Sequence, residues 1–468
     1  MIKSQKMLQT ICAKMENAAQ IDPQLYLEYN VKRGLRNQDH TGVLVGLTSI
    51  GDVIGYYREN DQLVPTEGQL LYRGYPLDQL VRGFQQDGRH GFDEICYLLL
   101  AGELPTQTEL QYFTGYLAQN RDLPENFMKQ TILTPIGQNM MNMLARAVLV
   151  LYTIDPNPED RSEENIVRQS LDLIAKFPTI VAYSYNAYRH EFNRKTLSIR
   201  HPREKLSTAE NFLYMLKGEK YTKLEADLLD LALVTHAEHG GGNNSTFTLR
   251  VTSSAGTDTY SAIAAAIGSL KGPYHGGANL KVLQMMTDMK QNVRNWRDRD
   301  EVAAYLLRIL KKEVGDHFGK IYGIGHAVYT LSDPRTNILK VRAAELADEK
   351  NRAEEFQLYN LVEELAPEVF ADFKGRERSK IVCANVDFYS GFVYSCLGIP
   401  AELYTAIFAM GRLAGWCAHR LEELNHQSRR IIRPAYKNVT PQRDYVPLQV
   451  RGDLGIGNKG IRSTEKGK

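Results

Sequence analysis

Four short segments of the sequence carry a histidine or an aspartate beside small residues, which indicates an active site assembled from separate parts of the chain. They contain His239 in HAEHGGGNNS, His275 in GPYHGGAN, His326 in GIGHAVYTLSDPR and Asp387 in NVDFYSG. An aspartate is suited to removing a proton from carbon, and histidines are suited to donating hydrogen bonds to oxygens that gain negative charge. Arginines, including the one in SDPR, are suited to holding a multiply anionic substrate. The pattern predicts carbon–carbon bond formation without a metal or a redox cofactor.

A metal hydrolase is a second class of function that uses some of the same residues, with His236, His239, His275 and Asp387 as ligands. The two histidines of the first segment lack the i, i+4 spacing of the metal-binding H-E-x-x-H helix, and the other candidates lie in distant segments. A non-catalytic binding protein is a third class. It is disfavoured because every side chain that the chemistry requires is present.

A short glycine motif before His326 resembles the first half of a dinucleotide-binding fingerprint. Gly323 and Gly325 would be its first two glycines, but Val328 stands in the place of the third. No strand–helix unit is predicted around the motif, so a Rossmann site is not expected.

Helices must position these residues, because most of the chain has helical periodicity. Residues 225–237 place apolar side chains at three- and four-residue spacing and end before HGGGNN. Asp258 is a candidate N-cap for the helix SAIAAAIGSL, which ends just before His275. Further helices are predicted at 279–290, 300–314, 336–351 and 360–373, and two more on either side of 398–400. LVPTEGQLLYRGYPL predicts a small hairpin near the N-terminus. The expected fold is all-α with a minor β element.

Composition excludes several classes of partner. The 468 residues are enough for two or more domains, and 57 basic against 55 acidic residues leave a net charge of +2. A general affinity for nucleic acid or an anionic membrane is therefore not expected. No apolar run approaches the roughly 18 residues of a membrane helix, and the N-terminus does not resemble a secretory signal. The tail from Gly452 is rich in glycine and lysine and is predicted to be mobile.

The five cysteines give no sign of a disulfide framework or a zinc site. They are odd in number, widely spaced and contain no C-x-x-C pair. We expect buried, reduced thiols in a cytoplasmic protein. The residues are Cys12, Cys96, Cys383, Cys396 and Cys417.

The ordered series of motifs resembles the citrate synthase family. It begins with GQLLYRGYPLDQL and EICYLLLAGELPTQTEL, continues through LSTAENFLYML and the four segments above, and finishes with FAMGRLAGWCAHRLEEL and IIRPAYK. The resemblance covers nearly the whole chain, and the order of the motifs makes it specific. It implies an acyltransferase of the tricarboxylic acid cycle that condenses acetyl-CoA with oxaloacetate through an enol and hydrolyses citryl-CoA to citrate and CoA.

The resemblance also implies a role for each chemical residue. Asp387 matches the catalytic base, and His275 matches the donor to the thioester oxygen, with its tautomer fixed by a hydrogen-bond acceptor. His326 matches the residue that polarises the ketone of oxaloacetate and protonates the new alkoxide. His239 and Asn243 match further oxaloacetate contacts. By comparison, His236 is expected to be structural and to complete the end of its helix.

Three arginines match those that clamp the two carboxylates of oxaloacetate in the family: Arg335, Arg412 and Arg433. The arginine matching Arg433 reaches across a homodimer interface in the family, so the active site is expected to be shared. The alternative for Arg433 is a solvated member of a cluster with Arg429 and Arg430.

The loop of Gly323, Ile324 and Gly325 matches the main-chain contact with the CoA adenine. No cofactor is expected, since acetyl-CoA is a substrate. The alternative activity is 2-methylcitrate synthesis from propionyl-CoA, because no residue of the sequence reports the size of the acyl pocket.

The resemblance further implies a large and a small domain. The small domain would span 277–397, and the large domain would combine 1–276 with 398–468. Gly276, Gly277 and Gly398 stand at these boundaries, either as hinges beside the active site or as simple helix ends.

Overall fold

The structure is a computed structural model that describes residues 2–39, 41–60, 62–375 and 381–451. The tail predicted to be mobile, from Gly452, lies outside these residues. The chain divides into two compact units, one formed by Met1–Val43 with Arg433–Lys468 and the other by Leu44–Ile432. The predicted division at 277–397 is a different one and stays a prediction.

The described residues are mainly helical, as predicted. The helices are α1 (Ile2–Ala18), α2 (Pro23–Glu28), α3 (Leu77–Gln86), α4 (Phe92–Ala101), α5 (Gln107–Gln119), α6 (Glu125–Phe127), α7 (Met140–Ile154), α8 (Glu163–Asn193), α9 (Thr208–Lys217), α10 (Lys223–His236), α11 (Asn244–Ser254), α12 (Thr259–Leu270), α13 (Ala278–Asn292), α14 (Arg299–Leu310), α15 (Pro334–Glu349), α16 (Ala353–Lys374), α17 (Val386–Cys396) and α18 (Tyr404–Leu424). Within the described ranges, no helix is both long enough and apolar enough to cross a membrane.

A three-stranded antiparallel sheet is the minor β element. Its strands are β1 (Gly51–Glu59), β2 (Gln62–Tyr72) and β3 (Tyr75–Pro76), paired in that order. The hairpin is larger than predicted, because β1 precedes the segment that carried the strand signal. Its register runs from Gly51 opposite Tyr72 to Glu59 opposite Gln62, with an irregularity between Ile54 and Tyr56.

Side chains at the helix starts explain why the helices begin where they do. The Asp258 carboxylate accepts a hydrogen bond from Ser261 N, so the predicted N-cap of α12 is confirmed. Thr222 and Glu225 form a capping box at the start of α10, which satisfies two main-chain N–H groups at once. Asn385 caps α17 by accepting from Asp387 N at 3.1 Å. The last of these caps sets the position of a predicted catalytic residue.

Helix α18 is the central buried helix of the unit Leu44–Ile432. It packs against α4, α8, α10, α11 and α12, and Trp416 at its middle is completely buried. Gly411 and Gly415, one turn apart, allow a close crossing with the end of α10. A Cβ atom at Gly411 would lie 2.9 Å from Leu233 O, and one at Gly415 would overlap Ala237 O. Arg412 therefore enters the interior beside the end of α10.

All five cysteines are free thiols, but they are not all buried. Cys96, Cys396 and Cys417 are buried as expected. Cys12 is exposed and Cys383 is half-buried, so the expectation of burial is wrong for these two. The exposed thiol lies on α1, where Met7, Leu8, Ile11 and Met15 are also exposed.

Candidate active site

The hairpin of β1 and β2 supports the loop 326–334, which leads to two predicted site residues. A Cβ atom at Gly55 would lie 2.5 Å from the main chain of this loop, and one at Gly68 would overlap Ser332 O. Hydrogen bonds join the same surfaces: Thr330 Oγ1 donates to Gly55 O at 2.9 Å, and Gly68 N donates to Ser332 Oγ at 3.1 Å. Contacts that require two glycines thus hold the loop against the sheet.

Replacing Gly68 with alanine is expected to destabilise the protein by about 1–3 kcal/mol, because the added methyl group meets rigid atoms. These are Ser332 O and, at 2.9 Å, the ring of Tyr329. Gly83→Ala is the matched control, since nothing lies within 4 Å of its added Cβ and alanine favours the helix. Thermal unfolding of both variants tests this prediction. An unchanged Tm for Gly68→Ala would contradict the close contact.

His326 presents an N–H group at Nε2. Its Nδ1 accepts hydrogen bonds from the main-chain N–H groups of Val328 and Tyr329, both at 3.0 Å. A nitrogen that accepts two N–H groups carries no proton, so the proton of the neutral ring is on Nε2. The ring also stacks on Tyr329 with centroids 4.6 Å apart. The loop therefore fixes both the tautomer and the plane of His326.

His239 lies in the same aromatic cluster. Its ring packs edge-on against His326 at 5.1 Å and against Tyr329 at 5.6 Å. Burial lowers the pKa of His239 well below its usual value, and the charges of Arg335 and Arg412 lower it further. The buried Nε2 atom has no protein partner among the described residues. His239 is therefore a neutral ring with one free polar atom in the site.

His275 presents its N–H group at Nδ1. Ser245 N donates to His275 Nε2 at 3.3 Å, and Ser245 Oγ lies 3.0 Å from the same nitrogen. The expectation that an acceptor fixes the tautomer is wrong, because the partner is a donor at the start of α11. Burial and the charge of Arg412 lower the pKa of His275 to about 4. The ring is therefore neutral at physiological pH.

Asp387 is in the first turn of α17, and its Oδ1 atom is buried without a hydrogen-bond partner among the described residues. Burial raises the pKa of Asp387 to about 6, against the lowering effect of Arg335 and Arg412. An isolated carboxylate with a raised pKa has the properties of a general base. The main-chain N–H of Val386, next to Asp387, donates to the Asp333 carboxylate that also holds Arg335, so Asp387 lies beside this arginine.

Arg335 is a buried, permanently charged group held by its neighbour. Asp333 accepts from its Nε at 3.0 Å and from its Nη2 at 2.7 Å. Burial disfavours the charge, but Asp333 raises the pKa of Arg335 above its usual value. Asp333 Oδ2 also accepts from Val386 N at 3.2 Å. One carboxylate thus joins the start of α15, which carries Arg335, to the start of α17, which carries Asp387.

Arg412 is a buried cation that the protein leaves incompletely satisfied. Its Nε donates to His236 O at 2.6 Å, and its Cζ lies 4.9 Å from the centroid of the Phe408 ring. Nη1 and Nη2 are both buried and have no partner among the described residues. Burial lowers the pKa of Arg412 to about 10, so the group is still charged at pH 7. Two free donors on a buried cation form a site for an anion.

The remaining predicted site residues have different surroundings. Asn243 precedes α11, and its Oδ1 accepts from Ser245 Oγ at 2.9 Å. Gly323 and Gly325 have φ angles of 79° and 97°, which side chains rarely adopt. This loop pairs with the segment before α17: Asn385 Nδ2 donates to Gly325 O at 2.8 Å, and Ile324 forms an isolated bridge with Ala384. The loop is therefore attached to the segment that leads to Asp387.

His236 is a core side chain, and Arg433 is an exposed one. His236 stacks on Phe408 at 4.3 Å, and its Nε2 is 2.9 Å from Tyr394 Oη, inside the core at the end of α10. Arg433 belongs to the other compact unit, where its side chain is exposed. Within 44–432 the structure brings together His239, His275, His326, Asp387, Arg335 and Arg412. The role predicted for Arg433, a contact with a carboxylate of oxaloacetate across a dimer interface, stays a prediction.

The candidate metal ligands do not form a metal site in the described part of the chain. No group of three or more His, Cys, Asp or Glu side chains there has the arrangement needed to hold an ion. Two of the proposed histidine ligands each have one nitrogen engaged within the protein: Nε2 of His236 with Tyr394, and Nε2 of His275 with Ser245.

Sequence reasoning missed three residues that support the site: Ser245, Asp333 and Tyr329. Each stands inside a motif that was singled out, HAEHGGGNNS or GIGHAVYTLSDPR. The carboxylate two residues before Arg335 was a usable signal, because a buried arginine requires a counter-charge. The donor role of Ser245 had no signal, since it comes from a main-chain N–H group.

Comparison with known proteins identifies the family. The family model described as citrate synthase, C-terminal domain, matches residues 39–435. The citrate synthase of Deinococcus radiodurans is 37% identical over 369 residues, which cover 79% of this chain and 89% of that protein. The citrate synthase of Haloferax volcanii is 33% identical over 426 residues, which cover 90% of this chain and 99% of that protein.

Solved structures have the same fold. The crystal structure of citrate synthase from Pyrobaculum aerophilum has a TM-score of 0.70 at 32% identity and covers 88% of this chain and 95% of that one. The citrate synthase of Thermoplasma acidophilum, in a ternary complex with carboxymethyl coenzyme A and oxaloacetate, has a TM-score of 0.72 at 27% identity. That match covers 90% of this chain and 99% of the other. The chain therefore belongs to the citrate synthase family, a family of acyltransferases.

Proposed function

We propose that this protein condenses acetyl-CoA with oxaloacetate and hydrolyses the resulting citryl-CoA to citrate and CoA. The observation that carries the proposal is the buried Arg412, whose two unpartnered amino groups lie in a site with Arg335, neutral histidines and an isolated carboxylate. Such a site fits a small dianion that reacts with a weak carbon acid. The complex of the Thermoplasma acidophilum relative with oxaloacetate and a CoA derivative supports the same substrates.

Oxaloacetate binds through its two carboxylates. Arg412 donates from Nη1 and Nη2, and Arg335 donates from the edge of its guanidinium that Asp333 does not occupy. Hydrogen bonds to charged groups contribute roughly 1.5–3 kcal/mol each, so these contacts provide most of the binding energy. His239 and Asn243 complete the recognition of the substrate.

Asp387 then removes a proton from the methyl carbon of acetyl-CoA. His275 donates its Nδ1–H to the thioester oxygen, on which negative charge accumulates, and a neutral enol or enolate forms. The raised pKa of Asp387, about 6, makes the carboxylate a stronger base than an exposed aspartate. Neutral histidine suits this role because it stabilises the charge without protonating Asp387.

The enol carbon attacks the ketone carbon of oxaloacetate and forms the new carbon–carbon bond. His326 donates from Nε2 to the ketone oxygen and transfers its proton to the alkoxide as the bond forms. Water then attacks the thioester carbonyl of citryl-CoA and gives up its protons, one of which restores the Nε2–H of His326. The carbon–sulfur bond breaks, and the proton held by Asp387 goes to the sulfur, so that CoA leaves as a thiol. The overall products are citrate, free CoA and one proton. No step requires a cofactor.

Assembly and location follow from the resemblance to the family. We infer a cytoplasmic homodimer in which Arg433 of one protomer completes the oxaloacetate site of the other. Oxaloacetate binds first and closes the small domain of residues 277–397, which creates the acetyl-CoA site and excludes water from the enol. The loop of Gly323, Ile324 and Gly325 contacts the CoA adenine.

Thiol release from acetyl-CoA by the pure enzyme tests this function. We expect release only when oxaloacetate is present, with citrate formed in equal amount. Propionyl-CoA in the same assay measures the competing 2-methylcitrate reaction, because one methylene is worth only about 1–3 kcal/mol of discrimination. The ratio of kcat/KM for the two thioesters identifies the preferred donor.

Two outcomes would change this assignment. A higher kcat/KM with propionyl-CoA would make 2-methylcitrate the product of the same mechanism. No thiol release with either donor, from protein that is folded and binds oxaloacetate, would contradict the condensation. Thiol release without oxaloacetate would indicate a simple thioesterase instead.

A further inference from the structure

Glu238 directly precedes His239, and none of the roles proposed above uses it. Its side chain is completely buried. Glycines on two sides leave the space for its carboxylate: a Cβ atom at Gly51 of β1 would lie 2.7 Å from Glu238 Cγ, and one at Gly415 of α18 would lie 2.5 Å from Glu238 Oε2. Burying an ionised carboxylate is costly unless it is paired, and the pairing falls on Oε1, because Oε2 has no partner among the described residues.

His419 is the side-chain partner of Glu238. Glu238 Oε1 lies 2.9 Å from His419 Nε2, and His419 Nδ1 lies 2.8 Å from Arg250 Nη2. A guanidinium can only donate, so His419 Nδ1 is the acceptor and the ring proton is on Nε2. His419 therefore donates its N–H group to the Glu238 carboxylate, and Arg250 fixes this tautomer.

Arg250 is itself anchored at the end of α18. It pairs with Glu422, and its Nη1 lies 2.9 Å from Glu423 Oε2. Glu422 Oε1 also accepts from Ser49 N at 2.7 Å, just before β1. A continuous set of hydrogen bonds thus runs from the entry of the sheet, through α11 and α18, to the residue next to His239.

Glu238 acts on the turn that carries His239. Its Oε1 accepts from Gly240 N at 2.5 Å, and Gly240 has a φ of 80°. On the other side, Glu238 N donates to Tyr72 Oη at 3.3 Å, and Tyr72 Oη donates to Val234 O at 2.9 Å. The main chain is therefore held immediately before and immediately after His239. The negative charge of Glu238 also favours the charged form of Arg412.

We propose that Glu238 is a positioning residue for oxaloacetate recognition, which His419 and Arg250 hold in place so that His239 faces the substrate. The proposal rests on the proposed function. It assigns a role in substrate affinity to His419, which lies outside the group of residues that contact oxaloacetate.

Replacing His419 tests the proposal. His419→Leu removes the N–H donor at similar volume, whereas His419→Gln keeps an amide N–H that reaches the position of Nε2 and an oxygen that accepts from Arg250. We expect His419→Leu to weaken oxaloacetate binding about 10- to 100-fold, the range for losing a hydrogen bond to a charged group. The KM for oxaloacetate should rise in parallel with a much smaller change in kcat. His419→Gln should restore both values to within about threefold, since it retains the donor.

Arg420→Met is the matched control on the same helix. Arg420 is also completely buried, but its hydrogen bonds lead to Ser253, Thr257 and Thr259, away from Glu238. We expect it to lower the Tm while the oxaloacetate Kd stays unchanged. A merely structural role of His419 would make Arg420→Met and both His419 variants behave alike.

Calorimetric titration of oxaloacetate into the full-length enzyme separates the possible failures. Absence of binding to the unaltered enzyme would overturn the proposed function and this inference together. Binding that His419→Leu leaves unchanged, or that His419→Gln impairs equally, would overturn this inference alone. If His419→Leu does not fold, Arg250→Gln supplies a second test, because the side chain of Arg250 is 11% exposed and its loss releases the tautomer of His419 together with the ion pairs to Glu422 and Glu423. An unchanged oxaloacetate Kd in Arg250→Gln would then overturn the inference.

Discussion

Replacing Asp387 with asparagine is expected to lower kcat by about 10²–10⁴-fold, the usual contribution of a placed general base. Oxaloacetate affinity should change little, because the proposed substrate clamp consists of Arg335, Arg412 and their neighbours. Thiol release in the steady state measures the first effect, and calorimetric titration of oxaloacetate measures the second. Full turnover by the variant would show that another group removes the proton.

The pH dependence of the enzyme should report the same residue. Because burial raises the pKa of Asp387 to about 6, kcat/KM for acetyl-CoA should be full above that pH and fall as the pH drops through it. His275, with a pKa lowered to about 4, stays neutral across this range and does not cause the fall in kcat/KM. A profile of kcat/KM between about pH 5 and 8 tests this assignment, because only groups with a pKa in that range titrate there.

The same substitution should stabilise the protein in the absence of substrate. A carboxyl with a raised pKa binds its proton more tightly in the folded state than in the unfolded state. The contribution of Asp387 to folding stability is therefore complete below its ordinary pKa of 3.8 and is lost as the pH rises to about 6. At pH 7, Asp387→Asn removes that unfavourable ionisation and should raise the Tm. Asp316→Asn is the control and should lower the Tm. Hydrogen bonds from Tyr322 and Lys281 outweigh the effect of burial and lower the pKa of Asp316, so its ionised form stabilises the fold. A lower Tm for both variants would contradict the argument.

Replacing Arg412 with methionine is expected to weaken oxaloacetate binding by at least about 10²-fold. Its Nη1 and Nη2 are proposed to donate two hydrogen bonds to a substrate carboxylate, each worth roughly 1.5–3 kcal/mol. Arg412→Lys should not restore binding, since an ammonium cannot reproduce the planar pair of donors. Titration with oxaloacetate and the KM in the thiol-release assay measure the loss.

The apo protein should respond to Arg412→Met in the opposite direction. A buried guanidinium with two unsatisfied groups is destabilising on its own, so an apolar side chain of similar length should keep or raise the Tm. Arg420→Met, which removes a buried arginine whose three hydrogen bonds are satisfied within the protein, should lower it. An oxaloacetate Kd that survives Arg412→Met would remove the observation on which the proposed function depends.

The predicted secondary structure succeeded where the signal is local. Asp258 was expected to cap α12, and it does so because an aspartate before a helix satisfies a free N–H group of the first turn. The two helices on either side of 398–400 were also expected, and Gly398, with a φ of 65°, ends the first of them. The hairpin was only partly recognised, because β1 is held by pairing with β2 and by contacts of Gly55 with a loop more than 270 residues away.

The sequence by itself determined the chemical groups of the site and their family, because side-chain chemistry and the order of motifs are properties of the chain alone. The tertiary structure decided the tautomers, the hydrogen-bond partners and the pKa values of those groups. The tautomers of His275 and His326 depend on main-chain N–H groups, and the donor to His275, Ser245 N, lies 30 residues away along the chain. The unpartnered state of Arg412 and the raised pKa of Asp387 depend on burial by separate helices. Burial and long-range contacts arise only when the chain folds, so no local pattern reports them.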